Sequence, residues 1–108
     1  MRIEIDSTDI EIVKILYNLK SNENTNTYGV TKKIHPQCQS SQIGKYHTII
    51  KKKLKKLNKY GIVKIIGDKF KLYELQVQNV EFKKTRFKSK VYNIFCFLKD
   101  GIFYCVSF

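Results

Sequence analysis

Residues 40–71 constrain this chain more than any other stretch. Tyr46, Ile49, Ile50, Leu54 and Leu57 recur at i, i+3, i+4, i+8 and i+11, the spacing of one face of an α-helix. At about 100° per residue, Gly44, Thr48, Lys51, Lys52, Lys55 and Lys59 fall on the opposite face, with Lys45 and His47 on its flanks. Lys53 departs from the pattern. It lies within the apolar stripe and must run its stem out to water. Gly61 stands where such a helix ends. Two β-prone runs, 62–66 and 69–75, then flank Gly67-Asp68. Glycine first in a two-residue loop predicts a type II′ hairpin, with Val63, Ile65, Phe70 and Leu72 alternating with Lys64, Lys69 and Lys71. The stretch therefore reads as a long cationic helix followed by a cationic ribbon.

The flanking elements are shorter. Ser7-Thr8-Asp9 followed by Glu11 predicts a helix opened by a capping box from Thr8 to Glu11. That helix runs to about residue 19 or 20. Ile10, Val13, Leu16 and Tyr17 share a face that Ile12, Ile15 and Leu19 widen, so it packs on more than one side. A polar loop, 21–27, leads to a short helix over 28–34, with Thr27 as its cap and Val30 and Ile34 inward. Pro36 stops it, and 35–41 is a turn. Residues 76–90 fit a strand, on Val80, Phe82 and Phe87, or a loop. Runs 91–98 and 102–108 around Asp100-Gly101 carry a strong hairpin signal.

The charge is focused. The 108 residues suffice for one domain and a small appendage, and 43% hydrophobic content supplies a core that argues against disorder. Of the net +12, residues 32–73 hold twelve basic groups against one acid, residues 1–31 are net −2, and residues 74–108 are net +3. Such a field attracts phosphate polyanions, although a lysine run taken alone is equally a solvated helix face. Arginine occurs only at Arg2 and Arg86 and alanine is absent, a bias of AT-rich coding. Lysine binds phosphate as a hydrated point charge without the planar fork that reads guanine, so affinity should be directed mainly at the backbone.

Met1 to Asp9 is mixed and charged, unlike a signal peptide. The most apolar stretch, 91–108, is broken by Lys99, Asp100 and Gly101, well short of the about 20 residues a membrane span needs. A soluble, cytoplasmic protein is expected. His35, His47 and three cysteines lack metal-ligand spacing, and no phosphate loop or nucleophile elbow occurs. No catalysis, metal or cofactor is expected.

Helix, short helix, turn, long helix and hairpin is the element order of a winged helix-turn-helix domain. The segment 48–63, with Leu54, Leu57, Gly61, Ile62 and Val63 in the cadence Leu, two polar, Leu, three polar, Gly, Ile/Val, resembles the recognition helix and wing of archaeal and bacterial regulators of that family. The resemblance covers about residues 8–75, with a turn over 35–43 longer than the family's. The composition fits a regulator from an archaeal virus or plasmid, acting in the host cell. The resemblance implies an α+β fold: a winged helix-turn-helix domain over 1–75 and a β-rich packing or dimerisation extension over 76–108. It also implies sequence-specific binding of double-stranded DNA in transcription regulation, by a homodimer; from the residues themselves, no membrane and no small-molecule substrate are expected. Lys45, His47, Thr48, Lys51, Lys52 and Lys55 would enter the major groove. Ser40, Ser41 and Gln42, ahead of that helix, would hold a phosphate, and Lys64, Lys69 and Lys71 would form the wing's contact. An RNA-binding module or a protein-interaction domain would use the same basic surface.

In a two-residue Asp100-Gly101 loop, Lys99 pairs with Ile102 and, counting outward, Cys96 faces Cys105 at a non-hydrogen-bonded site, where Cα atoms lie about 4.5 Å apart. That is within reach of a disulfide. Two buried thiols acting as small apolar groups are the alternative, and a three-residue loop would separate them. Cys38, in the turn, is expected to be free. Phe95, Phe97, Phe103, Tyr104 and Phe108 make this hairpin too apolar to stand alone, so it packs on the body or on a second copy.

Overall fold

Asp6 and Asp9 open the first helix, in place of the expected Thr8 and Glu11. In the computed structural model, which describes residues 3–18, 26–67 and 72–107, the Asp9 amide donates to Asp6 Oδ1 at 3.0 Å. The Asp6 amide donates to Asp9 Oδ2 at 2.9 Å. This is a reciprocal cap built from two aspartates, and its shorter side chains satisfy the same orphan amides as a Ser/Thr–Glu box. The helix, α1, spans Ser7–Asn18. It buries Ile10, Ile12, Val13 and Leu16, whereas Tyr17, expected on the same face, is 54% exposed at the helix end. The proposed extension to residues 19 and 20 lies outside the described residues.

The second helix, α2, is Thr27–Ile34. Its cap is Asn26, one residue before the expected Thr27, with Oδ1 accepting from the Gly29 amide at 2.7 Å. Thr27 instead begins the helix, and its carbonyl accepts from the buried Thr31 hydroxyl at 2.7 Å. The third helix, α3, spans Ser40–Lys59. Ser40, Ser41 and Gln42 therefore form its first turn rather than preceding it. Ile50, Leu54 and Leu57 are buried along it, while Ile49, expected on the apolar face, is 41% exposed. Tyr46 is half-buried and stacks on His35 with ring centroids 3.9 Å apart, which ties the turn to the helix. Gly61, at φ +77°, ends α3 in the left-handed region that glycine enters without a Cβ clash.

Strands β1 (Val63–Ile66) and β2 (Leu72–Leu75) pair antiparallel. Val63 lies opposite Leu75 and Ile66 opposite Leu72. A two-residue Gly67-Asp68 loop would pair Ile66 with Lys69, so the expected type II′ hairpin is replaced by a longer connection. The slip reverses the second strand's faces: Tyr73 and Leu75 turn inward beside Ile65 and Val63, and Leu72 is 39% exposed. Phe70 lies outside the described residues. The Asn58 side-chain amide donates to the Val63 carbonyl at 2.9 Å and pins this hairpin to the end of α3.

Residues 76–90 turn out to be mostly strand. β3 (Gln78–Phe87), β4 (Lys90–Lys99) and β5 (Ile102–Ser107) form a three-stranded antiparallel sheet in the order β3-β4-β5. A bulge between Gln78 and Glu81 carries Asn79 at φ +51°. Lys88 and Ser89, at φ +51° and +67°, make the β3–β4 turn, and Asp100-Gly101, at +52° and +78°, make the β4–β5 turn. Both have the two left-handed positions of a type I′ hairpin. Cys96 faces Cys105 with Cα atoms 4.2 Å apart, and the pair stands at disulfide distance.

The fold is thus α+β, three helices with two antiparallel sheets of two and three strands. One buried cluster takes Ile10, Ile12, Val13 and Leu16 from α1, Val30 from α2, Ile50, Leu54 and Leu57 from α3, Val63 and Tyr73 from the first sheet, and Phe95 and Phe97 from β4. The aromatic hairpin therefore packs on the body of its own chain. A ring series continues outward, from Phe97 on Tyr104 to Phe95 on Phe82 to Tyr17 edge-on at 6.1 Å. Among the described residues, no helix is long and apolar enough to cross a membrane.

Candidate nucleic-acid interface

The cationic face of α3 follows from its buried one. With Ile50, Leu54 and Leu57 sealed against the core, residues turned away from them must meet solvent. Gly44, Lys45, Thr48, Lys51, Lys52, Lys55 and Lys59 are all exposed. At about 100° per residue they fall within an arc of about 120°. The helix has 20 residues, about 30 Å at 1.5 Å each. Of the expected groove-facing set, only His47 is half-buried, on the flank nearer the core. The Thr48 hydroxyl donates to the Gly44 carbonyl at 2.9 Å. Its hydrogen is therefore used within the helix, which leaves the oxygen lone pairs and the methyl group outward.

Ser40, Ser41 and Gln42 are exposed in the first turn of α3. Gln39, the cap residue, gives no side-chain hydrogen bond to that turn, while the Gln42 amide returns to the Gln39 carbonyl at 2.9 Å. On the β1–β2 hairpin, Lys64 is exposed but sits directly across from Glu74, and opposite charges at such a pair offset each other. Lys69 and Lys71 lie outside the described residues.

Two lysines of α3 serve the fold. Lys53, expected to run out to water, pairs with Asp6 and lies 3.9 Å from Asp9 Oδ2. Lys56 reaches the same Oδ2 at 2.5 Å. Asp9 is fully buried, and its Oδ1 has no hydrogen-bond partner among the described residues. The sequence signal for this cluster was an acid pair three apart facing a lysine pair three apart, Asp6/Asp9 and Lys53/Lys56.

Asp6 gives this cluster a pH dependence. Partial burial acts to raise its pKa, but hydrogen bonds from Lys53 and Asp9 outweigh that and hold it near 2, below the ordinary 3.8. A depressed carboxylate pKa stabilises the fold above the unfolded value and loses that contribution as pH falls through the folded one. Stability should therefore decline between about pH 4 and pH 2. With the Asp6 side chain 54% exposed, solvent screening limits the effect to about 1 kcal/mol. Urea titrations of the parent and Asp6→Asn across that range check this; equal losses on acidification would remove Asp6 as the source.

A second cationic element lies on the β3–β4 ribbon. Residues 83–92 carry Lys83, Lys84, Arg86, Lys88 and Lys90 and no acid, and all ten are exposed. Among the described residues, Lys83 alone of these forms an ion pair, with Glu81 at 2.9 Å. The available signal was an acid-free run of alternating basic residues.

The described residues include no cluster of three or more His, Cys, Asp or Glu side chains able to hold a metal ion. No family model, no curated protein and no solved structure matches the chain.

Proposed function

We propose that this chain is a sequence-specific double-stranded DNA-binding protein of the winged helix-turn-helix kind. It would act as a transcriptional regulator by occupying a promoter, with no chemistry on the DNA. The observation that carries this reading is the exposed arc of Lys45, Thr48, Lys51, Lys52, Lys55 and Lys59 on one 20-residue helix, opposite its buried stripe. A major groove about 12 Å wide admits a helix of this kind. Support also comes from the element order, with α2 ahead of this helix and the β1–β2 hairpin directly after it. The lysines neutralise phosphates, while the Thr48 methyl meets thymine and its oxygen accepts from an adenine or cytosine amino group.

A second copy of the chain is the expected partner. The outer strand β5 leaves Ile102 and Phe103 exposed, and paired recognition helices would reach half-sites about 34 Å apart. Sedimentation at low micromolar concentration should give twice the chain mass.

Titrating duplex DNA across salt concentrations tests the function. Neutralising five to seven phosphates gives a log–log slope of about −4 to −6. Thr48→Ala should change the preferred site in a random-duplex selection and leave that slope in place. A flat salt response, or stronger binding to duplex RNA than to duplex DNA, would sink the proposal.

A further inference from the structure

The β3–β4 ribbon extends beyond the part of the fold it supports. Phe82 and Phe95 pair on the face turned to the core, and beyond them the same face continues as Lys84 with Asn93 and Arg86 with Val91. The pairing of β5 ends at Ser107 opposite Ile94, so from Asn93 outward the described sheet has only two strands. That distal part rises about 3.4 Å per residue over four residue pairs, a projection of about 14 Å. Its apolar side chains are not used for packing: Phe87 is 63% exposed, and Val91 and Tyr92 are exposed as well.

The turn at its end is also informative. Lys88 and Ser89 both hold left-handed backbone, which asparagine and glycine adopt at lower cost. Lysine there sets an ammonium group at the apex, 5.5 Å from the Phe87 ring centroid. Strain of this kind is kept where a site requires it. Arg86 is the one arginine among the described residues, in a chain whose other basic residues are lysine except for Arg2.

We propose that the ribbon tip, residues 83–92, is a second DNA contact that reaches into a minor groove beside the site of α3. Arg86 enters the groove, and Lys84, Lys88 and Lys90 neutralise the phosphates that line it. A narrow A·T-rich minor groove concentrates negative potential and draws in arginine, and flexible basic elements of other DNA-binding proteins use that groove. The inference deepens the proposed function and rests on it.

The test compares three proteins on a duplex several turns long: the parent, a ribbon variant (Lys84→Gln, Arg86→Gln, Lys88→Gln, Lys90→Gln) and a helix variant (Lys51→Ala, Lys52→Ala). The ribbon variant should melt with the parent, because the altered side chains are all exposed. It should lose the outer minor-groove protections in a hydroxyl-radical footprint, and its salt slope should be shallower by about 2.7, at about 0.9 for each of the three phosphates its lysines neutralise. Arg86→Lys should keep the slope but lose any preference for A·T-rich flanks. If the ribbon variant keeps the parent's slope and footprint while the helix variant loses affinity, the ribbon inference is overturned and the helix reading stands. If the ribbon variant weakens and the helix variant does not, the ribbon stands and the major-groove reading fails. A parent that binds no duplex overturns both. A ribbon variant impaired only on structured RNA overturns the DNA assignment.

Discussion

Asp9→Ala should destabilise the fold by about 3 kcal/mol, a loss on the scale of truncating a core side chain. Three losses combine. The reciprocal cap with Asp6 disappears, which by itself is worth about 1 kcal/mol. Lys56 and Lys53 lose the carboxylate they share. A cavity is left at a fully buried position. Breaking a buried ion pair usually costs about 3–5 kcal/mol, because an uncompensated charge stays inside. The lower figure applies here because the Lys53 and Lys56 side chains are 23% and 33% exposed and can turn to water. For a domain of this size, 3 kcal/mol lowers the melting temperature by about 12 °C or more. A double-mutant cycle with Lys56→Ala should give a coupling above about 1 kcal/mol. An Asp9→Ala protein within about 0.5 kcal/mol of the parent in urea unfolding would show that the buried carboxylate contributes nothing net.

The second large effect concerns binding. The triple variant Lys51→Ala, Lys52→Ala, Lys55→Ala should lose about 500-fold in duplex affinity at 0.1 M salt, since each phosphate contact contributes about 0.9 log units there and three are removed. Its salt slope should be shallower by about 2.7. Its stability should stay near the parent's, because all three side chains are exposed and none forms an ion pair among the described residues. The matched control is Lys53→Met on the same helix. Lys53 is committed to Asp6 and Asp9, so its removal should lower stability and leave the slope unchanged. If Lys53→Met and the triple variant weaken binding alike, affinity depends on total charge, and the assignment of one helix face to the groove is wrong.

Parts of this structure are legible in its residues and parts are not. Helix α3 was legible because its period is long and its end is marked by Gly61, where only a positive φ serves. The β4–β5 register was legible because Asp100-Gly101 names its own turn type, and from there Cys96 opposite Cys105 is a matter of counting. The β1–β2 register differs from the one its residues predict because Gly67-Asp68 carries the same kind of signal without being a two-residue loop. Local turn chemistry competes there with the inward burial of Tyr73 and Leu75, and burial prevails. The β3–β4 ribbon was missed because Lys88-Ser89 is an unusual pair for a left-handed turn. The face of α3 was read from periodicity, but the split of its lysines was not. Which of its seven lysines are committed to the fold depends on Asp6 and Asp9, 47 residues away in sequence, and the matched three-residue spacings show this only once the two helices are known to meet.

The two rims of the three-stranded sheet differ in a way that bears on assembly. The β3 rim carries Lys83, Lys84 and Arg86 and a bulge, both of which discourage another strand from adding. The β5 rim, Ile102–Ser107, has no charged side chain and no proline. If two molecules joined antiparallel through β5, each would use up the receptive border of this sheet and turn only its guarded β3 border outward. Growth through this sheet would then halt at a symmetric pair instead of running on as a fibril.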